Sequence, residues 1–300
     1  MSSEASRSSL SGYVMIASAA LIWGSIGVIV RVLPLSALTI VEYRVMIALP
    51  FFLIPWLRYG KTHGLRGPNF KLLIVSGVIQ AVAWAAFFTA FKMTGIANAV
   101  VLLYTAPIFV ALLAPYLLSE PRESRAYISL LLATVGILLI FTDEGLGERL
   151  GFFGALSGLL AGFLFAFVIM LDRRLSQDYP SKSIVAVQLL VATIMLAPTV
   201  LMEQRALSYY EVLLLVILGV VHTGLGLHLY LEGLRLTLAQ HAVIIQYLEP
   251  TSSFLYAALL LSELPDIISL LGCILIITAT FILVLNSGGS KNPAESASQE

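Results

Sequence analysis

Lys92-Met-Thr-Gly-Ile-Ala-Asn-Ala-Val-Val-Leu-Leu-Tyr104-Thr-Ala-Pro107 runs on to Leu117-Leu118-Ser119-Glu120. Arg235-Leu-Thr-Leu-Ala-Gln-His-Ala-Val-Ile-Ile-Gln-Tyr247-Leu-Glu-Pro250 runs on to Leu260-Leu261-Ser262-Glu263. Tyr104 and Tyr247, Pro107 and Pro250, and Glu120 and Glu263 all share one offset of 143 residues (107 to 250). Chance does not readily place a Tyr, a Pro and a Leu-Leu-Ser-Glu in one register, so the chain is a repeat of two units.

The repeats lie in a very apolar chain. Of its 300 residues 59% are hydrophobic and 11% charged, with a mean hydropathy of +0.96. A soluble surface needs roughly 25% charged residues, so most of this surface faces something other than water. Crossing a bilayer takes about 20 apolar residues. Ten such runs occur: 12–32, 37–57, 72–91, 96–118, 126–142, 151–171, 184–202, 212–231, 238–261 and 267–285. They are continuously apolar, which favours helices over the alternating strands of a barrel. The first run is too long for a signal-peptide core and reads as an uncleaved span.

Each unit therefore holds five spans, an odd number, and the second enters the membrane upside down relative to the first. The expected fold is an all-α integral membrane protein of ten helices in two inverted five-helix repeats around a central cavity, an architecture common among secondary transporters. The expected organisation is a polar N-terminal segment 1–11, a first repeat 12–142, a second repeat 151–286 and a disordered Gly/Ser/Glu/Lys tail 287–300.

Basic residues set the orientation. Arg7, Arg58, Lys61, Arg66, Lys71, Arg122, Arg125, Arg173, Arg174, Lys182, Arg235 and Lys291 fall on one side, and Arg31, Lys92, Arg149 and Arg205 on the other. With Arg44 inside the second span, these account for all 17 Lys and Arg. The basic side is read as cytoplasmic, with both termini on it. The net charge of zero says nothing about nucleic-acid or acidic partners, no nucleic-acid partner is expected, and the single cysteine, Cys273, excludes an internal disulfide.

Ala-Leu-Ile-Trp23-Gly-Ser, Tyr43-Arg44, and the two Tyr-x-x-Pro to Leu-Leu-Ser-Glu stretches resemble the drug/metabolite transporter superfamily, EamA type. The resemblance covers nearly the whole chain. It implies export of amino acids or other small metabolites across a bacterial inner membrane. YddG-type amino-acid exporters belong to this superfamily, and no residue here singles out that subgroup.

Polar and aromatic residues at membrane depth are the candidates for the pathway, because an ionisable group facing lipid is costly. Gln80, Trp84, Phe87 and Phe91 recur at helical spacing, as do Gly219, His222, Gly226 and Tyr230. Gln246 and Tyr247, with Tyr104 in the other repeat, add a third group, and the resemblance adds Trp23 and Tyr43. Against this stands plain packing: aromatic stripes and intramembrane amides also serve as core and helix–helix glue. Glu249, mid-span, is read as a coupling or amine-binding group, or as an ion pair with Arg44. Pro107 and Pro250 each weaken a helix from within and are read as hinges or as static kinks shaped by packing. Glu120 and Glu263 are expected to cap the helices that follow them.

No Walker A sequence, HExxH or paired CxxC is present. No cofactor or metal is expected, and the partners are a small-molecule substrate and the lipid bilayer. The sequence leaves monomer and homodimer equally open. The leading reading is a secondary transporter or facilitator exporting small organic metabolites, amino acids first and aromatic or hydrophobic ones within that group, by alternating access. A nucleotide-sugar or sugar-phosphate exchanger would need paired cations in the cavity, where only Arg44 and Lys92 offer themselves. An intramembrane enzyme would need a clustered acid–base or metal motif, and none is visible.

Overall fold

A computed structural model describes residues 2–59, 69–94, 96–142, 151–201, 206–261 and 266–285. Among the described residues there is helix, turn and short loop, and no strand. In the first repeat, α1 (Ser2–Gly24) and α2 (Ile26–Val32) form span one and α3 (Ala37–Tyr59) span two. Span three is α4 (Phe70–Thr94), span four is α5 (Ile96–Leu103) with α6 (Ala106–Leu117), and span five is α7 (Ser124–Ile140). The second repeat opens with α8 (Phe152–Asp178) and α9 (Ser181–Leu201). Its third span joins α10 (Tyr209–Ile217), a π-helical segment (Leu218–Leu225) and α11 (Gly226–Leu236). α12 (Ala239–Gln246) with α13 (Leu248–Leu261), then α14 (Ile267–Leu285), complete the ten spans.

Eight of these helical stretches are long and apolar enough to cross a membrane, and α7 is a shorter apolar helix. The outward face is apolar, with Phe51, Leu131, Phe153, Leu259 and Phe281 each more than half exposed, as lipid contact requires. The helix α1 runs back to Ser2, through the segment expected to be a polar lead-in. The expected disordered tail, Glu263 and the basic residues Lys61, Arg66, Arg149, Arg205 and Lys291 lie outside the described residues.

The packing obeys the repeat. Helix α4 lies along α8, and its counterpart α11 lies along α1. The self-equivalent pairs α3 with α9 and α7 with α14 pack directly on each other. Small residues allow the close approach. A methyl on Gly12 would meet Thr237 Cγ2 at 2.6 Å, and one on the equivalent Gly154 would strike the Cγ2 of Thr94, the counterpart of Thr237. Gly136 and Gly272 face each other's carbonyl oxygens across the α7–α14 contact at 2.7 and 2.6 Å from their would-be methyls.

Both fourth spans are broken. A proline clashes with the carbonyl of the residue four before it and cannot donate to that carbonyl. For Pro107 that residue is Leu103, where α5 ends; for Pro250 it is Gln246, where α12 ends. The prolines therefore sit in the first turn of a second half-helix, where a missing N–H costs little, rather than inside a continuous helix.

Candidate functional site

The two breaks face each other. Pro107 frees carbonyls around Tyr104, and the Tyr247 hydroxyl donates to the Tyr104 oxygen at 3.0 Å. The two rings lie 5.1 Å apart. The residue after Tyr247's neighbour Leu248 is Glu249, in the first turn of α13, where the positive end of the helix dipole points at it. The side chain of Tyr104 hydrogen-bonds Glu249, and the charge of Arg44 acts on the same carboxylate.

Arg44 is the hub of the arrangement. Its guanidinium carbon lies 5.7 Å from the ring centroid of Trp84, a cation–π contact, and its charge reaches both Glu249 and His222. Its Nε is buried without a partner among the described residues. The helix α3 brings it there through Gly219: a methyl at that position would meet the Arg44 carbonyl oxygen at 3.0 Å and Ile47 at 2.6 Å.

His222 lies in the π-helical segment, a feature often found where a helix carries function. Its Nδ1 is 3.2 Å from the Ile217 oxygen, and Ser25 Oγ is 2.8 Å from Nε2. Ser25 sits at the break between α1 and α2. The Trp23 indole N–H donates to the His222 carbonyl at 2.8 Å, and its ring lies 5.5 Å from that of Tyr230. There is no room behind Trp23, since a methyl on Gly226 would overlap the indole Nε1.

These contacts join Trp23, Arg44, Trp84, Tyr104, His222, Tyr230, Tyr247 and Glu249. Gln80 is buried one turn before Trp84, its amide nitrogen unpartnered among the described residues. Gln246 ends α12 and is half-buried. Tyr43 packs instead with Leu33, Ile40, Leu215 and Leu218.

Sequence reasoning passed over two acids. Glu42 is fully buried with neither carboxyl oxygen partnered among the described residues; its place in an apolar run next to Tyr43-Arg44 was the available signal. Asp172 is buried against Ser76 and Gln188. Among the described residues no group of His, Cys, Asp and Glu is placed to hold a metal ion.

The end of the bundle that carries the N-terminus is tied across the repeats. Glu120 accepts the backbone N–H groups of Ala239 (2.7 Å) and Gln240 (3.4 Å), so it caps α12 of the other repeat and not the helix that follows it. Arg173 Nε lies 3.7 Å from the same carboxylate. Glu123 binds His241 Nε2 at 2.9 Å and Arg125 Nε at 2.7 Å, and Tyr13 holds the far side of His241 at 2.8 Å. Burial opposes the charge of Glu123, but the hydrogen bonds from His241 and Arg125 outweigh it and lower its carboxyl to about 2.

One repeat later the counterparts behave differently. Asp266, equivalent to Glu123, caps its own helix α14 through the Ile268 and Ser269 N–H groups at 2.9 and 3.1 Å. Asn98, equivalent to His241, donates to Thr94 O of its own turn at 2.8 Å. The pseudo-symmetry is broken at the two ends of the bundle.

Two inverted halves, opposed helix breaks and a charged, ring-lined centre define a membrane transporter. The EamA-like transporter family profile matches residues 10–142 and again 152–285, and the chain belongs to that family. It is 26% identical over 277 residues to the uncharacterized transporter YwfM of Bacillus subtilis, covering 88% of this chain and 90% of the relative. It is 28% identical over 293 residues to the uncharacterized inner membrane transporter YicL of Salmonella typhimurium, covering 92% and 96%. A crystal structure sharing 18% identity superposes with a TM-score of 0.79 over 92% of this chain and 97% of its own, which places the fold.

Proposed function

We propose that the protein exports small amino acid-like zwitterions bearing apolar or aromatic side chains, by alternating access. The observation that carries this reading is the juxtaposition of Arg44 with Glu249 among aromatic rings at the helix breaks. A guanidinium suits a carboxylate, a carboxylate suits an ammonium, and Trp84 and Tyr104 supply faces for an apolar side chain. A phosphate-bearing substrate would call for a second cation beside Arg44, and Lys92 is exposed in the last turn of α4.

In this reading the cross-repeat network of Glu120, Glu123 and His241 closes one mouth, and the breaks beside Pro107 and Pro250 are where spans four and nine bend in turn. The likeness to the inner membrane transporter YicL supports a bacterial inner-membrane location, and the basic-residue bias supports both termini, and the closed mouth, on the cytoplasmic side. Efflux of a panel of labelled amino acids from proteoliposomes tests the function. Release of phenylalanine or leucine above protein-free vesicles is expected; a panel in which no amino acid moves, while a sugar phosphate does, overturns it.

A further inference from the structure

Asp172, Ser76 and Gln188 meet where α8, α4 and α9 pack, so the cluster joins both repeats. Asp172 is 5% exposed. Its Oδ1 accepts from the Ser76 hydroxyl at 3.0 Å and from Gln188 Nε2 at 2.6 Å, and the same amide group donates to Ser76 Oγ at 2.7 Å. Both bonds fall on one oxygen and leave Oδ2 as the place where a proton can be gained. From α11, Tyr230 lies within electrostatic reach of Asp172, and its hydroxyl is buried and unpartnered among the described residues. No cation pairs with Asp172 among the described residues.

We propose that Asp172 is a proton-binding site and that its loading and unloading couples transport to a proton gradient. This rests on the transport reading above. The chemistry of the surroundings selects a proton over a metal cation: Ser76 and Gln188 point N–H and O–H groups at the carboxylate, whereas a metal needs several converging oxygens. The step balances simply. A proton from water bonds to Oδ2, the carboxylate becomes a carboxylic acid, and the site loses its one negative charge. The unpartnered Tyr230 hydroxyl lies within electrostatic reach of the carboxylate and feels the change in its charge.

The cluster is placed to be read at both the substrate site and the closed mouth. Tyr230 packs on Trp23, 5.5 Å between ring centroids. The next residue along α8, Arg173, pairs with Glu120 and donates to the Arg235 carbonyl at 3.0 Å. Other titratable groups on the neighbouring helices are engaged elsewhere or distant along the helix. His228 and Glu232 of α11 both meet Ser181, at 3.0 and 2.6 Å, and His241 of α12 is held by Tyr13 and Glu123. Lys71 of α4 and Lys182 of α9 lie more than a helical turn from Ser76 and Gln188.

Infrared difference spectra between acid and alkaline buffer, on protein in lipid, test the site directly. The wild type is expected to show a protonated-carboxyl band component that disappears in Asp172→Asn. Ser76→Ala, which keeps the acid and removes one donor, is expected to retain that component at a shifted frequency. In proteoliposomes, Asp172→Asn is expected to keep exchange of labelled phenylalanine but lose its accumulation against a gradient driven by pH. A spectrum unchanged by Asp172→Asn, or an unshifted band in Ser76→Ala, overturns the site. Uphill accumulation by Asp172→Asn overturns the coupling. A wild type that moves no amino acid fails the transport reading instead, and the infrared result then still decides the proton site.

Discussion

The hydroxyl of Tyr247 donates to the main-chain oxygen of Tyr104 at 3.0 Å, and the rings of these two residues lie 5.1 Å apart. The pair are repeat mates, 143 residues apart (104 to 247). Equivalent residues of an inverted repeat can touch only near the axis that relates the halves, so the axis passes between them. Tyr247 is fully buried. Tyr247→Phe removes the donor and strands a carbonyl freed by the break, which is expected to cost about 1–2 kcal/mol. Tyr247→Ala is expected to cost about 3–5 kcal/mol. Thermal unfolding in detergent checks both, and a Phe variant as unstable as the Ala variant would contradict the ordering.

The prolines end α5 and α12 four residues upstream of themselves. Replacement by Ala restores the donor and removes the clash, and should let each half-helix continue into the next. Because Pro107 and Pro250 belong to opposite repeats, Pro107→Ala is expected to bias the protein toward one facing and Pro250→Ala toward the other. Electron paramagnetic resonance distances between labels at the two mouths, in lipid, report this. Unchanged distributions in both variants with transport intact would reduce the prolines to static kinks.

Gly226 is where Trp23 leaves no space for a side chain. Gly226→Ala must push the indole off the His222 carbonyl that it now meets at 2.8 Å, at about 1–3 kcal/mol. Tryptophan emission should shift and transport fall. Gly27→Ala, whose methyl would meet only Ser253 Oγ at 3.6 Å, serves as the neutral control within about 0.5 kcal/mol.

The contacts of Glu123 with His241 and Arg125 depend on its charge. With its carboxyl lowered from the usual 4.5 to about 2, its stabilisation is full above the ordinary value and is lost as pH falls toward about 2. Glu123→Gln is expected to lower stability at neutral pH by about 1–2 kcal/mol, with allowance for solvent screening. Melting curves of variant and wild type should converge in strong acid. A gap that is constant down to the lowest pH would assign the loss to packing.

Much of this architecture is legible before any coordinates. Continuous apolar runs mark the spans, and one offset shared by Tyr, Pro and Leu-Leu-Ser-Glu exposes the repeat and puts Tyr104 and Tyr247 in equivalent places. The remainder depends on features that hydropathy does not encode. Asp172 reads as a loop charge because the apolar run stops at Leu171, yet α8 continues to Asp178 and carries it into the packed interior. The π-helical turn that aims His222 has no compositional signature. Which helix Glu120 caps is decided by how the repeats dock, so local spacing points to the following helix while the carboxylate reaches α12.

The central claim, that Arg44 and Glu249 read the two charges of an amino acid, is tested most directly by comparing three labelled probes in proteoliposomes. Phenylalanine carries both charges, 3-phenylpropionate lacks the amine and phenethylamine lacks the carboxylate. The wild type is expected to move phenylalanine at least tenfold faster than either analogue, a factor equal to about 1.4 kcal/mol. Glu249→Gln is expected to erase its advantage over 3-phenylpropionate, and Arg44→Gln its advantage over phenethylamine. Equal rates for all three probes in the wild type, or unchanged discrimination in both variants, would contradict the account.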